Sequence, residues 1–186
     1  MRKYEFTGET KIINLCGKEV TLHRIKAVIE FGLIKVGEVG GWIEEESNLS
    51  HDDKSWVCGN AEVWGNAKVW GNAEVCGNAE VCGDAEVWGD AKVWGDAEVW
   101  GNAEVSQVDH ILVIGPAGSR NDFTTFYRDK DNEITVKCGC FLDKIDKFIE
   151  KVTQTHEDNK YAIVYRASAE LAKLQIDLSE ESEENE

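Results

Sequence analysis

A short loop near residue 118 carries the side chains best suited to binding. Residues 115–122 follow an apolar stretch and combine glycines with the Ser119 hydroxyl and the Arg120 guanidinium. Backbone N–H groups in glycine-rich turns bind phosphate and carboxylate groups, as guanidinium groups also do. The loop lacks the GKS or GKT ending of a P-loop and the third glycine of a dinucleotide fingerprint, so a plain tight turn is the alternative. The predicted ligand-binding residues are Gly118, Ser119, Arg120, Asn121, Asp122, Thr124 and Thr125.

A pair of cysteines forms the second candidate site. Cys138-Gly139-Cys140 is expected at the end of a strand and the start of a helix, where the helix dipole favours a thiolate. A zinc site with His110 or His156 would need a second matched pair, and a nucleophilic cysteine would need His156 as its base. Packing of small buried residues is the simplest interpretation. We therefore predict no catalytic residue, no metal site and no cofactor, and leave open whether the cysteines are structural, metal-binding or reactive.

The elements that would position these residues are typical of a small α+β domain. Apolar residues 111–115 predict a strand, and residues 124–128 and 134–138 predict a hairpin. A second helix is expected from about Lys160 to Leu174, with Asp158 or Asn159 as its cap. The first helix is expected to bury one face, which contains Leu142, Ile145, Phe148, Ile149 and Val152.

Before this domain, eight consecutive copies of a six-residue unit run from Val57 to Glu104. Each unit reads Val, Trp or Cys, Gly, Asn or Asp, Ala, and then Glu or Lys. The alternation predicts a short strand and a turn, with Ala and Val pointing inward. Three such units would make one coil of a parallel β-helix, and coils would stack about 4.8 Å apart.

Stacking every third unit predicts three outer columns. Trp56, Glu74 and Lys92 form one, and Lys68, Glu86 and Glu104 form another, so opposite charges are adjacent in both. The remaining column stacks three glutamates. It is interpreted either as a solvated face or as a docking surface for a basic partner. Its members are Glu62, Glu80 and Glu98.

Tryptophans in the outward positions have no use inside a coil that Ala and Val fill. Large exposed aromatic residues are typical of interfaces, so we predict burial in a homo-oligomer, either a dimer or a trimer. Coverage by the chain's own terminal segments and a ligand platform are the alternatives. The predicted interface residues are Trp64, Trp70, Trp88, Trp94 and Trp100.

The segment that precedes the array is expected to cap it. Residues 11–14 and 20–29 are rich in β-branched residues and predict a hairpin around Cys16-Gly17-Lys18. From Gly40 a degenerate repeat begins, in which Ile43, Ser47 and Leu49 are expected to point inward. Because an exposed first coil would be an unpaired edge, a cap is physically required.

Composition limits the classes of partner. A net charge of −16 argues against direct binding of nucleic acid, which relies on Lys and Arg. Neither an N-terminal leader nor a membrane span is evident, so we expect a cytoplasmic protein, in the host cytoplasm if a phage encodes it. Reduced thiols are expected for all six cysteines, although Cys58 and Cys76 would be neighbours on adjacent coils.

The start of the array carries a resemblance to a known group. The stretch VGEVGGWIE at 36–44, then NLS at 48–50 and WV at 56–57 before the repeats, resembles hexapeptide-repeat proteins of phages and prophages. These belong to the left-handed parallel β-helix superfamily, and the resemblance covers roughly residues 25 to 106. It implies left-handed coils. Enzymes of the superfamily are acyltransferases with a histidine base, or carbonic anhydrases with three zinc-binding histidines, whereas this chain has no histidine between His51 and His110.

The predicted fold is mainly β, a left-handed parallel β-helix with an N-terminal hairpin cap and a small C-terminal α+β domain. The predicted divisions are a cap at 1–42, the β-helix at 43–106, the α+β domain at 107–178 and an acidic tail at 179–186. We expect a non-enzymatic, oligomeric binding or scaffold protein of phage or mobile-element type. The sharper hypothesis is a counter-defence factor that captures a nucleotide-like ligand or a host protein through its C-terminal domain. The alternatives are an acidic nucleic-acid mimic and an acyltransferase that depends on His51 or His110.

Overall fold

A computed structural model describes residues 1–15 and 18–179. The chain divides into an N-terminal unit, Met1–Val108, and a C-terminal unit, Asp109–Glu186. Part of the predicted turn at Cys16-Gly17 and residues 180–186 of the predicted acidic tail lie outside the described residues.

Short parallel strands build a solenoid in the N-terminal unit. The predicted columns are confirmed, because Glu62 pairs with Glu80, Glu74 with Lys92, and Lys68 with Glu86. The Ala and Val side chains of the repeats fill the interior and are almost completely buried. Three longer strands precede the array. The strands of the array are β4 (Trp56–Val57), β5 (Glu62–Val63), β6 (Lys68–Val69), β7 (Glu74–Val75), β8 (Glu80–Val81), β9 (Glu86–Val87), β10 (Lys92–Val93), β11 (Glu98–Val99) and β12 (Glu104–Val105).

Each turn of the repeat depends on its glycine. Gly77, for example, has a φ of 82° in the left-handed region, which residues with a side chain rarely adopt. A Cβ atom at this position would lie 2.9 Å from the carbonyl oxygen of Gly95 on the next coil. The glycine therefore permits both the turn and the close stacking of coils.

An antiparallel hairpin caps the solenoid, as predicted. It consists of β1 (Tyr4–Leu15) and β2 (Lys18–Ala27), and β2 pairs with β3 (Val39–Ile43). Strand β3 then pairs in parallel with β5, so the sheet order is β1-β2-β3-β5-β8-β11. The hairpin thus covers the edge that the first coil would otherwise expose.

The first coil departs from the predicted inward pattern at one position. Ile43 and Leu49 are buried as expected, but Ser47 is exposed and Asn48 is buried instead. Asn48 replaces an inward alanine because its amide donates to the carbonyl oxygens of Gly65 (3.0 Å) and Ala67 (2.9 Å). Burial of this polar side chain is thereby compensated by hydrogen bonds.

The C-terminal unit packs helices on one face of an antiparallel sheet. The elements are β13 (Ile111–Ala117), β14 (Asp122–Arg128), β15 (Ile134–Cys138), β16 (Phe141–Lys144), α1 (Ile145–His156) and α2 (Lys160–Gln175). The sheet order is β13-β14-β15-β16, and the predicted cap Asn159 accepts hydrogen bonds at the start of α2. The prediction that Leu142 lies in the first helix is wrong, because the chain makes a further strand, β16, before α1 begins.

The core of this unit lies between the sheet and the helices. Phe148 of α1 contacts Phe126 of β14 and Tyr165 of α2 edge to face, with ring centroids 5.9 and 5.7 Å apart. Such aromatic pairs fix the position of both helices on the sheet. Among residues 1–15 and 18–179, neither helix has the length and apolar character needed to cross a membrane.

Candidate functional site

A cleft of about 220 Å³ opens in the C-terminal unit beside the β13–β14 turn. The turn contributes Ser119 and Arg120, which were predicted to bind ligand. Helix α1 contributes Lys151 and His156, and α2 contributes Tyr165. Cationic and hydroxyl groups from three separate elements therefore meet at one opening.

Hydroxyl groups and an imidazole form the polar side of the cleft. The Ser119 Oγ atom lies 3.4 Å from Nε2 of His156 and 3.5 Å from the hydroxyl of Tyr165. The Ser119 backbone N–H donates to that same hydroxyl at 3.2 Å. The His156 ring also stacks on Tyr165, with centroids 5.7 Å apart. These contacts hold the turn against both helices.

Glycines make room for the larger side chains of the cleft. A Cβ atom on Gly139 would overlap the guanidinium of Arg120, and one on Gly118 would overlap the ring of Tyr165. Both glycines also have φ in the left-handed region, 58° and 69° respectively. Arg120 is about half exposed, and its carboxylate neighbour Asp122 is 4.0 Å away, so its guanidinium remains accessible to a ligand.

The floor of the cleft is apolar. Phe141, Phe148 and Val152 line it, and Cys138 lies among them. The Thr124 hydroxyl donates to the Cys138 sulfur at 3.2 Å. An apolar floor below cationic groups suits a ligand that has a flat apolar part and an anionic part.

The structure brings together only part of the predicted ligand-binding set. Ser119 and Arg120 line the cleft, and Thr124 reaches its floor through Cys138. The turn between β13 and β14 contains Gly118 and Asn121, and Asp122 begins β14. None of these three lines the cleft. Thr125 follows Thr124 in β14 and therefore points to the opposite face of the sheet.

Lys151 and Tyr165 were missed by reasoning from the sequence. Lys151 belongs to α1, where Phe148, Val152 and His156 recur at four-residue spacing on the face that borders the cleft. That spacing was a signal for His156, since it extends the predicted apolar face by one turn. Tyr165 gave no such signal, because its role depends on how α2 packs.

The expected helix start at the cysteine pair is wrong. Cys138 ends β15, and Cys140 precedes β16 rather than a helix, so neither thiol lies at a helix N-terminus. Cys140 is exposed and Cys138 is half-buried. No cluster of His, Cys, Asp and Glu suited to a metal ion occurs in the described part of the chain.

The histidines of the acyltransferase alternative are engaged in structural contacts. His51 Nδ1 accepts from the Lys3 backbone N–H at 3.3 Å, and the ring stacks on Tyr4. Burial lowers the pKa of His51. In the C-terminal unit, His110 is buried and its Nε2 lies 3.3 Å from the Arg128 guanidinium.

The tryptophan columns differ in how they are covered. Trp64 is only 5% exposed because it packs with Val20 and Leu22 of the hairpin, so the chain itself covers it. Trp100 packs partly buried against this same cluster, and Trp94 is 49% exposed. Trp70 and Trp88 lie on the face that carries Lys68 and Glu86. They are half-buried and stack in parallel, with ring centroids 5.8 Å apart.

The glutamate column is partly neutralised by the hairpin. Lys11 Nζ lies 2.5 Å from a carboxylate oxygen of Glu62 and also lies over the Trp42 ring. The repeats alone do not predict this ion pair, because Lys11 lies in the hairpin. The first glutamate of the predicted docking surface is consequently already paired.

Cysteines 58 and 76 form a disulfide, which corrects the expectation that all thiols are reduced. The pairing follows from the coil length. Residues 18 positions apart occupy the same outward place on adjacent coils, and the two Cα atoms are 4.7 Å apart. This Cα separation lies within the usual range for disulfides.

No protein-family model and no curated protein matches the chain. The chemistry of the cleft must therefore be taken from its own residues. Arg120 and Lys151 supply cationic donors, while Ser119 and Tyr165 supply hydroxyls. A nucleophilic serine would also need a group that orients its base, and within residues 1–15 and 18–179 no carboxylate pairs with His156. The arrangement suits binding of an anion.

Proposed function

We propose that the protein is a non-enzymatic binding protein in which the C-terminal cleft holds a small, phosphorylated, nucleotide-like ligand. The observation that carries this proposal is the position of Arg120, whose guanidinium lies over Gly139 at the cleft. Lys151 adds a second positive charge from α1. In a chain of net charge −16, this local grouping of cations is the feature that favours an anion.

The cleft matches the separate parts of such a ligand. A phosphate would accept from Arg120 and Ser119, since charge-assisted hydrogen bonds to phosphate are among the stronger ones. A base would lie on the apolar floor at Phe141 and Phe148. Ligand pockets typically measure about 300–1,000 Å³, so a cleft of about 220 Å³ favours a single nucleotide unit over a dinucleotide.

The solenoid would serve as the scaffold in this proposal. Its unbroken repeats and its interior of Ala and Val support a relation to left-handed hexapeptide-repeat proteins of phages. Under that relation, ligand capture in the C-terminal unit would act as a counter-defence device. The stacked Trp70 and Trp88, which are half-buried on one outer column, support assembly into a homo-oligomer.

The ligand proposal is tested by thermal shift and calorimetry with nucleoside monophosphates and cyclic nucleotides. At least one of these is expected to bind, and both Arg120→Ala and Lys151→Ala should weaken its affinity by about tenfold or more, the typical effect of losing a charged hydrogen bond. Lys147→Ala is the matched control, because Lys147 lies on the same helix but pairs with Glu150 outside the cleft.

A contrary result would be equally informative. If no phosphorylated ligand shifts the melting temperature, the small-molecule form of the proposal fails. It also fails if Arg120→Ala and Lys147→Ala bind a ligand with the same affinity, because the cleft would then not be its site.

A further inference from the structure

Helix α2 exposes apolar side chains on the side opposite its buried face. Ile163, Leu171 and Leu174 are 62%, 48% and 86% exposed, and Ala167 between them is exposed as well. Because these residues follow one another at intervals of three and four, they lie on one face of the helix. This surface is called the α2 stripe, and its members are Ile163, Val164, Ala167, Leu171 and Leu174.

The α2 stripe is a continuous surface that the rest of the chain leaves open. It extends over about three turns of the helix, and an apolar patch of this kind is typical of an interaction site. Residues 16–17 and 180–186, outside the described part of the chain, contain no large apolar side chain and so supply no apolar cover. Of the described residues of α2, Tyr165 lines the cleft, whereas those of the stripe do not.

The order of side chains makes the stripe self-complementary in an antiparallel pair. Ile163 and Leu171 each lie four residues from Ala167. A two-fold axis at Ala167 therefore places Ile163 of one copy against Leu171 of the other, twice. The small side chain of Ala167 lets the two helices approach closely at the centre of the contact.

Charges at the two ends of α2 favour the same arrangement. Lys160 lies exposed at the start of the helix, and Asp177 lies exposed just beyond its end. Antiparallel packing brings Lys160 of each copy towards the partner's Asp177, whereas parallel packing would bring like charges together. Opposed helix dipoles add to this preference. A membrane is disfavoured as the occupant, because a net charge of −16 is repelled by anionic lipids.

We propose that α2 forms an antiparallel interface with α2 of a second copy of this chain. The large side chains of the stripe interdigitate around a two-fold axis at Ala167. A single pair of helices buries less surface than a standard interface of about 1,600 Å², so this contact alone gives a weak dimer that forms as concentration rises. It lies in a different unit from Trp70 and Trp88 and goes beyond the assembly proposed for them.

Cysteine cross-linking of the full chain tests the position of the axis. All variants carry Cys140→Ser, which removes an exposed native thiol. Ala167→Cys should form a disulfide-linked dimer on mild oxidation. Ile163→Cys should cross-link with Leu171→Cys when the two proteins are mixed, and more than either does alone. Gln154→Cys is the control, because Gln154 is exposed on α1 outside the stripe, and it should stay uncross-linked.

Sedimentation measures the strength of the same contact. In a Trp88→Ala background, which weakens the other proposed interface, Leu171→Glu should raise the dissociation constant by at least about tenfold, because it places a charge in the apolar contact. Gln154→Glu adds the same charge outside the stripe and should leave the dissociation constant unchanged.

Several results would overturn the proposal. These are no more cross-linked dimer for Ala167→Cys than for Gln154→Cys, self-cross-linking of Ile163→Cys in place of the mixed product, and equal dissociation constants for Leu171→Glu and Gln154→Glu. Flotation of the protein with vesicles of phosphatidylcholine and phosphatidylglycerol, without self-association, would assign the stripe to a membrane instead. Arg120→Ala should keep the Ala167→Cys cross-link, so failure of this interface stays distinguishable from failure of the nucleotide proposal.

Discussion

At the scale of single residues, the end of the solenoid is closed by a buried lysine. Lys3 has no exposed side-chain surface, and its ammonium contacts Asp53 Oδ1 (3.0 Å) and the Ser55 carbonyl oxygen (2.7 Å). Burial lowers the pKa of Lys3, although Asp53 opposes this shift. A buried ammonium of this kind depends on its counter-charge, because breaking such a pair by removing one partner is strongly destabilising.

Asp53 should make stability depend on acid pH. Burial alone would raise its pKa, but hydrogen bonds from Ser55, Ser50, the Gly71 N–H and Lys3 together hold it well below its usual value. A carboxyl with a lowered pKa stabilises the fold above its unfolded pKa of about 3.9, and the contribution is lost as the pH falls further. Asp53→Asn should therefore cost about 3 kcal/mol near neutral pH, measured by urea unfolding.

The cost of Asp53→Asn should shrink once the pH falls below about 4, because the unfolded chain of the unchanged protein then takes up a proton. Asp52→Asn is the matched control, since Asp52 is the sequence neighbour and its side chain is 90% exposed. A cost that stays constant between neutral and acid pH would contradict this assignment.

At the scale of elements, local pattern predicted most of what is regular. The columns, the capping hairpin, the β14–β15 hairpin and the Asn159 cap could be predicted because each depends on residues close in sequence or on a strict repeat. Ser47 and Leu142 were misplaced. Asn48 turns inward because carbonyl groups of the next coil accept from it, and Leu142 belongs to an added strand. Neither fact follows from periodicity.

The candidate sites depended even more on tertiary packing. The sequence predicted the positions of Ser119 and Arg120, but not that Lys151 and Tyr165 would complete the cleft. The burial of Trp64 likewise depends on the hairpin, which lies far from it in the sequence. Such contacts join residues far apart in the chain, so spacing alone carries no information about them.

The disulfide should add measurable stability to the solenoid. It closes a loop with a sequence separation of 18. In the chain-entropy account, a loop of this size is worth about 3 kcal/mol. Replacing both Cys58 and Cys76 with serine should lower the free energy of unfolding by about this amount, measured in urea without reductant. Cys140→Ser, which removes an exposed free thiol, should have little effect.

Peptide mapping without reduction provides an independent check on the same bond. A linked pair of peptides containing Cys58 and Cys76 is expected. If both cysteines instead react fully with an alkylating reagent in the folded protein, the disulfide assignment is wrong.

At the scale of the whole molecule, the remaining aromatic surface predicts self-association. Trp70 and Trp88 stack on one outer column, and among the described residues neither belongs to the cluster in which the hairpin covers Trp64. Light scattering should give a mass that is a multiple of 20.8 kDa. Trp88→Ala should raise the dissociation constant by about thirtyfold, equivalent to about 2 kcal/mol for an aromatic at the centre of an interface.

Trp94→Ala is the matched control for this prediction, because Trp94 lies in a different column beside Lys92. If the unchanged protein is monomeric at every concentration tested, the homo-oligomer prediction is wrong. If Trp94→Ala alone dissociates the particle, the interface lies on the other face.

The coil length determines which changes in the number of repeats preserve the outer columns. Because partners on adjacent coils are 18 residues apart, duplication of three whole units would lengthen the rod and leave every column intact. Duplication of one unit would move each later residue to the next face, so Glu98 would leave the column of Glu62 and Glu80. The gene can therefore change the length of this rod by whole coils without rewriting its surface, whereas a change by one unit alters the surface and keeps the core.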